Sequence, residues 1–223
     1  MSDPIVIVGA ARTPMGGFQG DFEGQTASDL GGVAIKAALS RAGVAAADVD
    51  EVLMGCVLPA GQGQAPARQA SFKAGLSDAV PCSTLNKMCG SGMKPEVVAH
   101  DGLKAGSGSV IVAGGMESMT NAPYLMPAAR GGARLGHTQL LDSMVHDGLW
   151  DIHNDFHMGI TGEKVAEKYD IDRAAQDAFA AESHRKAAEA TAAGRLDDEK
   201  FTIQVPQRKA DPLDFTTDET IRE

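Results

Sequence analysis

Aromatic residues are scarce in this sequence, at 4% of 223 residues, and only one is tryptophan. Cysteine is also scarce: Cys56, Cys82 and Cys89 make an odd number without the spacing of metal ligands. The sequence therefore predicts neither a disulfide framework nor a metal site, and a reducing cytoplasm fits best. No apolar run is long enough to cross a membrane, and no basic-then-apolar leader follows Met1, so we expect no membrane association.

An excess of positive charge is absent as well, since the formal net charge is −10. This charge argues against non-specific binding to nucleic acid, and a polyanionic ligand would need locally placed arginines. The hydrophobic content of 43% and the charged content of 22% are those of an ordinary globular protein. The 26 glycines and the few aromatic residues suit a closely packed α/β protein.

Short apolar runs alternate with helical patterns in the first half of the chain. A capping box at Thr26–Asp29 begins a helix that Gly43 ends, a second helix covers 66–74, and a third follows Cys89 to about Lys104. This alternation predicts a mostly parallel, doubly wound sheet with ligand sites beyond the carboxyl ends of its strands. The predicted strands are 5–9, 51–58, 80–85 and 108–115.

The glycines after the first predicted strand do not form a dinucleotide-binding fingerprint. Gly9, Gly16, Gly17 and Gly20 lack the G-x-G-x-x-G spacing, and Pro14 stands where the helix would begin. The sequence therefore disfavours a nicotinamide or flavin cofactor.

The pattern changes after residue 120, which predicts two domains, 1–120 and 121–223. Residues 121–154 show no sustained period, and a short helix is predicted at 161–170. Asp172 caps a long alanine-rich helix that Gly194 ends. Residues 201–205 alternate like a strand, and the polar tail from Asp211 is expected to contain no closing element.

Cys89 lies where a strand leads into a helix, with Gly90 and Gly92 behind it. Glycine lets the backbone adopt positive φ and lets another group approach closely. The unpaired N–H groups at a helix start favour a thiolate, which is the nucleophilic form of cysteine. The alternative is a small buried thiol near a turn. The Cys-Gly-Ser-Gly context favours the nucleophile, with the N–H of Cys89 or Gly90 as a candidate oxyanion donor.

A thiol nucleophile needs a base, for which histidine is the usual residue. His100 lies eleven residues further along the same helix, about 16 Å along its axis, and cannot reach the thiol. Of the other histidines, His157 is the best placed, next to a helix start; its alternative role is a hydrogen-bonded structural residue. The remaining candidates are His137, His146, His153 and His184.

The run Thr84–Lys94 closely resembles the active-site signature of the thiolases, the acyltransferases that make or cleave 3-ketoacyl-CoA. Four further blocks are similar to thiolase blocks and follow thiolase order, so the resemblance covers essentially the whole chain. These blocks are 9–14, 61–70, 114–119 and 157–159.

The resemblance implies the N-terminal half of the thiolase fold: a βαβαβαβ, mostly parallel sheet with an inserted, largely helical loop domain, the C-terminal half being absent. It implies that Cys89 is the nucleophile and that the coenzyme A thioester is a substrate, with no separate cofactor. His157, Leu149 and Met158 would contact the pantetheine arm, and Arg222 would pack on the adenine. The full-length form would be a homodimer or homotetramer.

Thiolases transfer an acyl group from acyl-CoA to the nucleophilic cysteine, and an acetyl-CoA enolate then displaces it. Their base is the histidine of a Gly-His-Pro block, and a second cysteine lies in a Cys-x-Gly block, both of which are absent from this sequence. We therefore expect this chain alone to be nearly inactive. Two alternatives stay open: a non-catalytic module for coenzyme A binding or assembly, and a redox-sensing thiol.

Pro95 departs from the resemblance, because thiolases usually carry a small helix former there. We expect the helix to begin near Cys89, which puts Pro95 about six residues inside it, where its ring crowds the Ser91 carbonyl. Such a proline costs up to ~3 kcal/mol. Only a bend or a late start of the helix would spare this cost, so the alignment of the neighbouring nucleophile depends on Pro95.

Overall fold

A computed structural model of the protein describes residues 4–207 and 209–222. Residues 1–3, on which the expectation of no leader depends, lie outside the described residues. The chain divides into two units, the first being Met1–Asn121 with Glu199–Glu219 and the second Ala122–Asp198 with Thr220–Glu223. The sequence placed a boundary after residue 120 and assigned all that follows to a second domain, whereas residues 199–219 contact the first unit.

The first unit is built on a parallel sheet with the strand order β2-β1-β3. The central strand β1 pairs in parallel with both neighbours, so that Val52 lies opposite Cys82 on one side and Val112 on the other. The predicted α/β class and parallel sheet are confirmed. The strands are Glu51–Gly55 (β1), Cys82–Leu85 (β2) and Ile111–Gly115 (β3), and the helices are Ala27–Ala42 (α1), Pro66–Ala74 (α2) and Met93–Ala105 (α3).

Local signals determine where α1 begins and ends. The Thr26 side chain accepts a hydrogen bond from the Asp29 N–H at 3.2 Å, and the Asp29 carboxylate accepts one from the Thr26 N–H at 2.9 Å. Gly43 closes the helix with φ +64°. The predicted capping box and glycine stop are therefore confirmed.

The strand predicted at residues 5–9 is not formed. Residues 4–10 have no regular structure, and the side chains of Val6, Ile7 and Val8 are mostly exposed. Gly9 lies close to α1, since a Cβ there would come within 2.7 Å of the Ala38 carbonyl oxygen. An apolar run becomes a strand only when a neighbour pairs with its backbone, and this run has no such partner among the described residues.

The tail of the chain returns to the first unit as a hairpin of two strands, Ile203–Val205 (β8) and Leu213–Phe215 (β9). The expectation of a tail without any closing element is therefore wrong. The hairpin packs through its apolar side chains, and the Phe215 ring meets the Phe22 ring edge-on with centroids 4.5 Å apart. Alternation over only three residues is too short a signal for the sequence to reveal β9.

The described residues of the second unit form two α-helices, Met158–Lys168 (α4) and Arg173–Ala192 (α5), and a short 3-10 helix at Pro127–Gly131. Asp172 caps α5 by accepting from the Ala175 N–H at 2.8 Å, as predicted, and α4 begins three residues earlier than predicted. A π-helical turn covers Met144–Leu149. Two-residue antiparallel ladders join Tyr124–Leu125 (β4) to Leu141–Asp142 (β5) and Trp150–Asp151 (β6) to Phe156–His157 (β7). Within the described part of the chain, no helix has the length and apolar character needed to cross a membrane.

Candidate active site

The site in the first unit is the turn of residues 86–92, here called the Cys89 turn, which connects β2 to α3. Cys89 is exposed on this turn. The residue before it, Met88, has φ +49°, in the left-handed region that a side chain rarely adopts. Such a conformation persists only where the surrounding structure enforces it.

Two side chains hold the Cys89 turn from inside. The Asn86 Oδ1 accepts a hydrogen bond from the Met88 N–H at 2.9 Å. The buried Ser91 hydroxyl accepts from the Lys87 N–H at 2.8 Å and donates to the Met88 carbonyl at 2.7 Å. These bonds hold the backbone on both sides of Met88, the left-handed residue before Cys89.

Two glycines allow the Cys89 turn to lie directly on the carboxyl edge of the sheet. Gly55 ends the central strand, and a Cβ there would collide with the backbone carbonyl of Ser91. Gly115 ends β3, and a Cβ there would lie 2.8 Å from the Gly92 Cα. The backbone of the turn therefore fills the space that side chains would otherwise occupy.

The Gly90 N–H, one of two candidate oxyanion donors, is used within the turn, where it donates to the Lys87 carbonyl at 3.1 Å. The Cys89 N–H is then the remaining candidate for the oxyanion donor. It stays a prediction.

The helix after the turn begins at Met93, four residues beyond the thiol. Pro95 is therefore the third residue of α3 and lies in its first turn, where a missing N–H is tolerated. The expected position six residues inside the helix is wrong, and the late start is the arrangement that spares the chain the cost of an interior proline. The Pro95 ring is fully buried and belongs to the packing of this helix.

The other two thiols have different surroundings from Cys89. Cys56 is buried, and burial raises its pKa to about 11, with further help from the negative charge of Glu117. Cys82 is half-buried on β2, with its sulfur 3.4 Å from the Val80 carbonyl oxygen. Of the three thiols, Cys89 is the most exposed and Cys56 the least.

His100 is the only histidine in the first unit. It is exposed on α3, and its Nδ1 lies 3.2 Å from the Asp101 carboxylate. This surface pairing agrees with the sequence-based argument that His100 does not act on the thiol.

Three of the four predicted coenzyme A contacts come together in the second unit. Trp150 pairs with His157 across the β6–β7 ladder, which brings Leu149, just before it, near Met158, just after it. Leu149 is half-buried, whereas His157 and Met158 are exposed. Their contact with coenzyme A stays a prediction.

His157 also has a structural role that accounts for its position. It is the N-cap of α4, and its Nδ1 accepts a hydrogen bond from the Gly159 N–H at 3.0 Å. An accepting Nδ1 leaves the proton on Nε2, so the ring can still donate to a ligand. Structural and ligand-binding roles are therefore compatible in this residue.

Arg222, the fourth predicted contact, is exposed near the end of the described chain. Its backbone N–H donates to the His184 Nδ1 on α5 at 3.1 Å. This bond attaches the backbone of Arg222 to the second unit while its guanidinium group stays exposed.

A comparison with known protein families identifies the family of this chain. Residues 5–223 match the family described as "Thiolase, N-terminal domain". The chain belongs to the thiolase family. It is 55% identical over 218 residues to an acetyl-CoA acetyltransferase of Pseudomonas aeruginosa and 52% identical over 219 residues to one of Cupriavidus necator. It is also 46% identical over 218 residues to a probable acetyl-CoA acetyltransferase of Escherichia coli.

Each of these alignments covers 98% of the chain but only 55–56% of the relative. The chain thus spans little more than half the length of the thiolases that it resembles. The predicted resemblance to a thiolase N-terminal half is confirmed.

The sequence analysis assigned no role to several residues that support the Cys89 turn. Glu117, just after β3, accepts hydrogen bonds from the Val57 N–H at 2.8 Å and the Leu58 N–H at 3.1 Å. Gly55 was not predicted as part of the site, whereas Asn86 and Glu117 were noted only as members of the runs 84–94 and 114–119, without a role of their own. Their roles could be sought from position, because each lies at or just beyond the carboxyl end of a strand, where sites of such sheets form.

Proposed function

We propose that this protein is an acyl-CoA C-acyltransferase of the thiolase type, with Cys89 as the acyl carrier. The observation that supports this most directly is the exposed thiol on a turn braced against the carboxyl edge of a parallel sheet. Membership of the thiolase family and similarity to proteins named acetyl-CoA acetyltransferase support the same chemistry.

In the first step, the Cys89 thiolate attacks the thioester carbonyl of acyl-CoA. The bond between the carbonyl carbon and the coenzyme A sulfur breaks, and the coenzyme A thiolate leaves and takes up a proton. In the second step, acetyl-CoA loses a proton from its methyl carbon, and the carbanion attacks the acyl-cysteine. The product is 3-ketoacyl-CoA, the Cys89 thiolate is released, and the reverse sequence is thiolysis.

Coenzyme A would be held by the second unit in this proposal, as a substrate with no further cofactor. Leu149 and Met158 offer apolar contacts to the pantetheine arm, and the Nε2 of His157 offers a donor beside them. The planar guanidinium of Arg222 suits stacking on adenine. A chain with a net charge of −10 needs such local cations to attract a polyanionic ligand.

The proton transfers of this proposal need a base, and the one histidine of the first unit is exposed on α3 beside Asp101. We therefore propose that residues 1–223 alone give little turnover and stop at the acyl-enzyme. We also propose that the full-length protein is a cytoplasmic homodimer or homotetramer, as its resemblance to thiolases implies.

The test is acetyl transfer from acetyl-CoA to the purified chain, followed by peptide mass spectrometry. We expect one acetyl group on Cys89 and none on Cys56 or Cys82, because burial keeps Cys56 in its thiol form. Cys82→Ser is the matched control and should leave the yield unchanged, whereas Cys89→Ser should abolish it.

Stoichiometric coenzyme A binding with an unacetylated Cys89 would instead support a non-catalytic module. Rapid acetoacetyl-CoA thiolysis by residues 1–223 would contradict the proposal that the chain stops at the acyl-enzyme.

A further inference from the structure

One series of hydrogen bonds connects the residues that follow the carboxyl ends of β1, β2 and β3. Glu117, after β3, accepts from the N–H of Val57, which follows β1. The Val57 carbonyl accepts from the Asn86 Nδ2, after β2, at 3.2 Å. The path follows the strand order β2-β1-β3, so it spans the carboxyl edge from one side to the other.

Asn86 is the residue at which this path enters the Cys89 turn. Its amide nitrogen reaches back to the Val57 carbonyl, and its amide oxygen accepts from the Met88 N–H. One planar amide group therefore fixes the left-handed residue before the thiol relative to the central strand. Asparagine carries a neutral donor and a neutral acceptor on one planar group close to the backbone, which suits it to bridge the two sites.

The backbone at Met88 explains why such a brace is needed. A methionine at φ +49° lies in a region where a side chain is disfavoured, so the free turn would relax toward negative φ. Relaxation at this residue would rotate the next peptide, which carries Cys89. A misplacement of about 1 Å in a reacting group can cost about 100-fold in rate.

We propose that Asn86 is a positioning residue for the acyl transfer, acting on Cys89 through the backbone of Met88. It touches neither the thiol nor the substrate and instead holds the peptide before the thiol in the orientation that the first step requires. This inference rests on the proposed function, because it concerns the geometry of that same reaction.

The variant Asn86→Ala tests the proposal with two measurements on the chain of 223 residues. Hydrogen exchange at the Met88 amide should accelerate, because its acceptor is lost. The rate of acetyl transfer from acetyl-CoA to Cys89 should fall about 10- to 100-fold. The affinity for coenzyme A, measured by calorimetry, should stay unchanged, since Asn86 does not contact the ligand in this proposal.

The matched control is Asn121→Ala. Asn121 lies in the same unit, is exposed, and donates from its Nδ2 to the carbonyls of Glu23 and Gln25 at 3.1 and 3.0 Å. Its loss removes bonds of the same kind away from the thiol, so melting temperature should change by a similar amount in both variants. Only Asn86→Ala should slow the acetylation of Cys89.

Unchanged exchange at Met88, unchanged acetylation, or an equal loss of rate in both variants would each overturn the proposal. A wild-type chain that is never acetylated would instead overturn the proposed function. In that case the ratio of iodoacetamide alkylation at Cys89 to that at Cys82 decides the positioning role. The ratio should fall in Asn86→Ala and stay constant in Asn121→Ala; a constant ratio in both contradicts the role.

Discussion

At the scale of single residues, the neighbours of each cysteine determine how far its thiol is exposed. Cys56 is buried and lies 3.5 Å from the carboxylate of Glu117, whereas Cys89 is exposed on a turn whose backbone packs directly against the ends of two strands. Two glycines at strand ends make that contact possible. A site of this kind depends on small residues as much as on the nucleophile.

Gly55→Ala should destabilise the first unit. The added Cβ would meet the Ser91 carbonyl, a backbone group that can move only if the Cys89 turn is displaced. We expect a loss of about 1–3 kcal/mol in the free energy of unfolding, the usual cost of overpacking. Urea denaturation measures it.

Gly114→Ala is the matched control for this substitution, because Gly114 belongs to the same sheet and its Cβ would lie at an ordinary 3.6 Å from the Met54 sulfur. Equal urea midpoints for the two variants would contradict close packing of the turn against Gly55.

At the scale of elements, the sequence predicted helices and turns better than strand pairing. The Thr26 capping box, Pro66 at the start of α2 and the Asp172 cap are local signals, and each helix begins where they indicate. The run 5–9 has the composition of a strand but needs a partner, which its own residues cannot reveal. The same limit applies within the site: the position of Cys89 was predictable, whereas the approach of Ser91 to Gly55 depends on residues 36 positions apart in sequence.

The substitution Pro95→Ala tests whether Pro95 lies in the first turn of α3 or in its interior, because the two positions predict opposite changes in the free energy of unfolding. An interior proline would make the alanine variant more stable by up to ~3 kcal/mol. Because Pro95 lies in the first turn and its ring is fully buried, we expect the variant to lose about 1–2 kcal/mol, from lost packing and a more flexible unfolded chain.

Thermal unfolding measured by circular dichroism decides between these signs. His100→Ala, on the exposed face of the same helix, should stay within about 0.5 kcal/mol of the original protein. A gain in stability from Pro95→Ala would contradict the first-turn position and would indicate that Pro95 lies in the interior of α3.

At the scale of the whole molecule, the first unit is completed by a segment nearly 80 residues distant in sequence from Asn121. Arg12 attaches this segment, residues 199–219, at both ends. Its guanidinium donates to the Glu199 carboxylate at 2.9 and 3.0 Å and to the Asp218 carboxylate at 2.7 and 3.0 Å. One arginine therefore secures both ends of the returning segment within the first unit.

Attachment of the segment should depend on pH. The hydrogen bond from Arg12 holds the pKa of Asp218 below its ordinary value. A carboxyl group whose pKa is lower in the folded state contributes stability above its unfolded pKa, about 4, and loses it as the pH falls through the folded value. Hydrogen exchange at β9, followed from pH 6 down to pH 3, should therefore accelerate beyond its intrinsic pH dependence.

Asp218→Asn should remove this pH dependence, because the amide does not ionise and pairs weakly with Arg12. Exchange at β9 in the variant should already be fast at pH 6. Asp211→Asn makes the same change of charge on the same segment, away from Arg12, and should keep the original pH profile. If both variants keep it, the arginine pair is not what secures the returning chain, and the Phe22–Phe215 contact becomes the stronger candidate for that role.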